Sequence, residues 1–140
     1  MKTVIQLNKW ANAHTHISID IIRVATGLLL FMKGVQFASQ TDYLLNMIRP
    51  NHPEAATLFL VHYVAMSHLA GGALIAMGLL TRLSALVQLP ILIGAFLINF
   101  TGVMDIGNLI QASLLLIAAV FFIFYGSGKH SVDYSLKMNM

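Results

Sequence analysis

Apolar residues fall in four long runs along this chain, with few polar residues between them. The runs cover about 17–38, 57–80, 83–100 and 108–125. Each is close to the roughly 20 residues that an α-helix needs to cross the hydrocarbon of a bilayer. The pattern predicts an all-α integral membrane protein, with residues 1–140 forming one four-helix bundle. Only Thr81-Arg82 separates the second run from the third, so these two form an antiparallel hairpin. Gly126-Ser127-Gly128 stops the fourth run. The longest connection, 39–56, is apolar at Tyr43-Leu44-Leu45 and Met47-Ile48, which predicts an interfacial or re-entrant piece. Pro53-Glu54 then fits the first turn of the second helix. Proline loses no hydrogen bond there, and a carboxylate meets the positive end of the dipole.

Polar and small residues inside the runs mark the faces that turn inward, because lipid tails give helices no hydrophobic reason to associate. In the first run Arg23, Gly27 and Gly34 form one stripe. In the second, His68 shares a face with Gly71, Gly72 and Ile75, and Gly78 closes the segment. Ser84, Gln88, Ala95 and Asn99 line one face of the third, and Asn108, Gln111, Ala112 and Ala118 one face of the fourth. At 1.5 Å of rise per residue, Arg23, Ser84 and Gln88 fall toward the side that carries the chain's start. Lys33, His62, Asn99, Asn108 and Gln111 fall toward the other side, and His68 lies near mid-depth. These placements predict a polar pocket floored by His68, walled by all four helices and open to the outer face.

Charge sets the orientation. Four spans put both ends and the second loop on one side, with Lys2, Lys9, Arg82, Lys129 and Lys137, while the other side has only Arg49. Under the positive-inside rule both termini are cytoplasmic. Trp10 suits an anchor at the headgroup level, and Arg82 suits a topology determinant that caps helix carbonyls or meets anionic lipid. Ala11-Asn12-Ala13 precedes the first apolar run instead of following it, so that run is expected to be retained as a span.

Composition narrows the chemistry. Only 9% of residues are charged and 58% are hydrophobic, against about 25% charged in a soluble domain. There is no cysteine, which excludes disulfides, iron–sulfur clusters and cysteine zinc sites. A net charge of +3 is too small and scattered for nucleic acid. His62 and His68 lie about 240° apart around a helix and cannot grip one haem together. The pair His14-x-His16 is a weak basis for a metal site, so none is assigned. No haem, flavin or nicotinamide motif is present. Pro90 leaves the Leu86 carbonyl without its helical donor and kinks the third span.

Three pieces of the sequence carry a resemblance. They are Arg23-x-x-x-Gly27 with Lys33-Gly34, then Gly71-Gly72 with Gly78-Leu-Leu-Thr-Arg82, and then Gly126-Ser-Gly-Lys-His-Ser131-x-Asp133. In this order and spacing the chain resembles the DoxX family of small four-helix proteins of the bacterial inner membrane. Many members carry an acidic residue where this chain has His68. The resemblance implies a link to quinol oxidases, thiosulfate:quinone oxidoreduction or oxidative-stress complexes, usually as a small subunit of a larger assembly.

The resulting expectation is an accessory or quinone-interacting subunit of a membrane oxidoreductase system. Its ligand residues would be drawn from His68, Arg23, Lys33, His62, Asn99, Asn108 and Gln111. Imidazole and amide donors suit quinone carbonyls, and a histidine exchanges protons near neutral pH. The same polar groups could instead bond helix to helix, at about 0.6 kcal/mol each. A membrane assembly or scaffold protein is the alternative, followed by a small-solute transporter. The bilayer is the certain partner, with a larger membrane complex or further copies of the chain as candidates.

Overall fold

The computed structural model describes residues 2–14, 16–42, 55–101 and 105–136. The expected interfacial piece at Tyr43–Pro53 and the Pro53-Glu54 helix start lie outside these residues. Six helices are described: α1 (Lys2–Ala13), α2 (Ile17–Ser39), α3 (Ala55–Met77), α4 (Thr81–Thr101), α5 (Ile106–Tyr125) and α6 (Val132–Ser135). Helices α2 to α5 are long and apolar enough to cross a membrane. Within hydrocarbon a helix satisfies its own backbone polar groups, so these sequences form helices whatever their individual propensities. Their outer faces are mainly apolar, with Ile21, Phe59, Met66, Leu97, Leu114 and Ile117 all exposed.

The helices pack as two tight pairs, α2 on α3 and α4 on α5, joined by a looser seam. Glycine makes the first pair. A Cβ on Gly72 would lie 2.5 Å from the Phe31 nitrogen and 2.7 Å from the Gly27 carbonyl oxygen. A Cβ on Gly34 would lie 2.6 Å from the Leu69 nitrogen. The two backbones therefore touch, an approach that only small residues allow. Leu30, Ile75, Ala85, Leu92, Leu115 and Ala119 form a core to which all four spans contribute.

The α3–α4 connection differs from the expected Thr81-Arg82 turn. The chain reverses at Gly78–Leu80, and Thr81 and Arg82 already belong to α4. Gly78 and Leu80 adopt positive φ angles of 69° and 49°, which ends α3 early. Leucines at 79 and 80 hide this turn in a hydropathy pattern.

Helix α1 and the residues that follow α5 meet at that same end of the bundle. α1 buries Ala11 beside Phe122 and Tyr125, and the Tyr125 hydroxyl donates to the Ala11 carbonyl at 3.3 Å. Trp10, half exposed, packs edge-on against Tyr125. The residues after α5 fold back as a strap over the α3–α4 turn. The Asp133 amide donates to the Gly78 carbonyl at 3.1 Å, and the Asp133 Oδ1 accepts from the Leu80 amide at 2.9 Å. This is the terminal end of the bundle, and the opposite one is the far end.

Candidate functional site

In the far half of the bundle, where the two helix pairs separate, lies a cavity of about 290 Å³. All four spans wall it. α2 supplies Lys33 and Phe37, α3 supplies Leu60, Tyr63, Val64 and His68, and α5 supplies Asn108, Gln111, Ala112 and Leu115. α4 contributes most of the remaining wall, from Pro90 to Asn99. The lining is largely apolar. Its polar groups run as a gradient from the far end down to mid-depth.

Asn108 opens this gradient two residues into α5. Asp105 caps that helix, its Oδ1 accepting from the amides of Gly107 at 2.9 Å and Asn108 at 3.2 Å. The Asn108 Nδ2 donates to Asp105 Oδ2 at 2.9 Å, and its Oδ1 accepts from Lys33 Nζ at 3.3 Å. Asn108 thus links the ammonium to the carboxylate across the bundle. Gln111 lines the cavity one turn deeper and is exposed. Asn99 is buried and donates through Nδ2 to the Ala95 carbonyl at 2.8 Å.

His68 sits at the inner end. It is nine residues from the terminal end of α3 and thirteen from its start, or about 13 and 20 Å along the axis. The side chain is 5% exposed, and its ring meets Phe37 edge-on with centroids 5.6 Å apart. Its Nδ1 is buried and makes no well-formed hydrogen bond among the described residues, while the ring approaches the Val64 carbonyl one turn back.

Five sequence candidates therefore converge on the cavity: Lys33, His68, Asn99, Asn108 and Gln111. Two do not line it. His62 faces outward, its Nδ1 2.8 Å from the Leu58 carbonyl oxygen. Arg23 lies at the terminal end, where its guanidinium donates to the carbonyls of Ser127 and, at 2.9 Å, His130. It also pairs with Asp20 at 3.3 Å. The remaining singled-out residues are placed at packing contacts. Gly27, Gly34 and Gly72 form the α2–α3 crossing, Gly71 lies against Gln88, and Gly78 makes the turn beside Arg23 and Ser131. Arg82 donates to the Phe124 carbonyl at 3.1 Å, on the last turn of α5.

Sequence reasoning passed over Phe37, Tyr63 and Gly94 in the cavity wall. Phe37 and Tyr63 read as ordinary apolar or interfacial residues. For Gly94 a signal exists: it follows Pro90 by four residues, so both lie on one helix stripe that lacks bulk.

A family model described as DoxX matches residues 18–101, more than half of the chain. No curated protein and no solved structure matches it.

Proposed function

The chain belongs to the DoxX family, and from that premise we propose that its cavity receives the polar head of a membrane quinone. The chain then serves as an accessory or quinone-interacting subunit of a larger oxidoreductase system. One observation carries this reading: the buried His68 imidazole, its Nδ1 without a well-formed hydrogen bond among the described residues, at the inner end of a mostly apolar cavity. An imidazole can donate to a quinone carbonyl or accept from a quinol hydroxyl, according to tautomer. Lys33, near the far end, supplies a second donor for the opposite carbonyl. The cavity volume is at the lower edge of the range for small-molecule sites, which suits a one-ring head better than a whole lipid.

The same reading places the protein in a bacterial inner membrane with its terminal end facing the cytoplasm. The five cations that the sequence assigns to that side support this orientation.

The test is purification into nanodiscs straight from the native membrane, with quinone and protein quantified together. Near-stoichiometric quinone is expected for the native sequence. His68→Leu should lower it by roughly tenfold while thermal stability stays equal or rises, since the variant removes a buried polar group that is poorly paired. Particles of the native sequence that carry only bulk phospholipid would sink the quinone reading. Parallel loss of quinone and of folding in His68→Leu would instead make His68 a packing residue.

A further inference from the structure

We propose that the cavity opens sideways into the bilayer, through a window between α3 and α4 at Gly94, and that a ligand's single hydrocarbon or isoprenoid tail leaves by it. This deepens the quinone reading by giving the ligand a route and a tail, and it rests on that reading for the head alone.

The window follows from how the hairpin diverges. α3 and α4 leave a turn of three residues, yet each packs more closely on its other neighbour than on its hairpin partner. Near the turn they are locked: Gln88 lies against Gly71, and its Nε2 donates to the Ser67 carbonyl at 2.5 Å. Farther out, Ile91 still packs on Val61 and Val64. Gly94 is thirteen residues from the start of α4, and Val64 is thirteen from the end of α3. The two therefore lie at one level, about 20 Å from the turn. At that level a Cβ added to Gly94 would meet no heavy atom within 4 Å.

The rim of this opening belongs to cavity and surface at once. Leu60 and Tyr63 line the cavity while remaining 44% and 43% exposed, and Pro90 lines it and is exposed as well. Leu60 and Tyr63 fall on the face of α3 that carries Ser67 and Gly71, the residues that meet Gln88 of α4. The rim is mainly apolar, and Gly94 lies about 10 Å from the far end of α4, within the hydrocarbon zone. Across the bundle the contrast is plain. There the Lys33–Asn108 hydrogen bond ties α2 to α5, and exposed Gln111 lies about 8 Å from the far end of α5. That side suits a polar head near the headgroup zone, and the Gly94 side suits a tail.

The chain has no cysteine, so single thiols can be placed without background. Three variants in nanodiscs make the test: Gly94→Cys, the lipid-facing Leu97→Cys and the fully buried Ala85→Cys. Each is treated with an alkyl maleimide dissolved in the bilayer and, separately, with a charged maleimide confined to water. Gly94→Cys is expected to react with the alkyl reagent within about threefold of Leu97→Cys, and roughly tenfold faster than Ala85→Cys, because thiol reactivity follows access. A decyl-substituted benzoquinone should slow Gly94→Cys and leave Leu97→Cys unchanged. Reaction as slow as that of Ala85→Cys, or reaction only with the charged reagent, overturns the window. Fast alkylation that no quinone slows upholds the window and removes the quinone as its ligand.

Discussion

Gly72→Leu is expected to destroy the bundle, whereas Gly94→Leu, the same change one helix further along, is expected to leave it folded. The difference lies in what a side chain would meet. At Gly72 an added Cβ lands 2.5 to 2.9 Å from the Phe31 nitrogen, the Gly27 oxygen and the Phe31 Cα. All three are backbone atoms and cannot rotate away. α2 and α3 would have to part by roughly 1 Å even for alanine to reach ordinary van der Waals separation, and leucine demands far more. Without a hydrophobic force between spans, that close contact is a large part of what holds the pair together. The expected loss is more than about 3 kcal/mol, at the upper end for overpacking. It should be read as failure to recover monodisperse protein, or as a collapse of the thermal transition in detergent. Gly94→Leu meets open space and gains up to about 1 kcal/mol from helix propensity. Folded Gly72→Leu protein with an unchanged midpoint would show that the glycine crossing does not join α2 to α3.

The bundle was legible because its cause is written locally. Runs of apolar residues near bilayer length determine the spans, and glycine spacing marks which faces meet. Gly27 and Gly34 share a stripe on α2, and on α3 Gly72 answers Gly27 while Leu69 meets Gly34. Boundaries were legible where a residue type announces them. Gly126, with φ of 81°, ends α5 where its sequence position indicates. The α3–α4 turn was obscured because one of its two left-handed residues is Leu80. That residue is held by Asp133, fifty-three positions away, and no hydropathy window reaches so far.

The site divides in the same manner. Helical rise and face periodicity bring Lys33, His68, Asn99, Asn108 and Gln111 to one cavity, because depth and face are both local quantities. Face periodicity puts Arg23 on the inward stripe with Gly27 and Gly34, and helical rise already sets it toward the terminal end, away from that group. What neither shows is what Arg23 holds: the strap after α5, whose return to the α3–α4 turn is a long-range fact. The cavity's existence is likewise not a local property. It requires that α3 and α4 diverge, which depends on how tightly each holds its other neighbour.

Arg23→Ala should detach that strap while leaving quinone retention intact. The guanidinium is 3% exposed and holds three partners at once: the Ser127 and His130 carbonyls and the Asp20 carboxylate. Removing it leaves the Ser127 and His130 carbonyls without their donor beside Asp133, itself 3% exposed, and leaves the Asp20 carboxylate to the His130 ring at 2.7 Å. Breaking a buried ion pair from one side costs about 3–5 kcal/mol. Exposed Lys129 lies between the two carbonyls that Arg23 holds, so tryptic cleavage after it reports release of the strap directly. Arg23→Lys keeps the charge but lacks the planar fork that reaches several acceptors, and should free the strap in part. Asp133→Asn retains an oxygen for the Leu80 amide, so cleavage there should stay close to that of the native sequence. Arg23 lies ten residues, or about 15 Å along α2, from Lys33 in the cavity. Quinone bound in the far half should therefore survive release of the strap. Loss of quinone in Arg23→Ala with Lys129 still protected would reverse the assignment, making Arg23 a ligand residue and the strap independent of it.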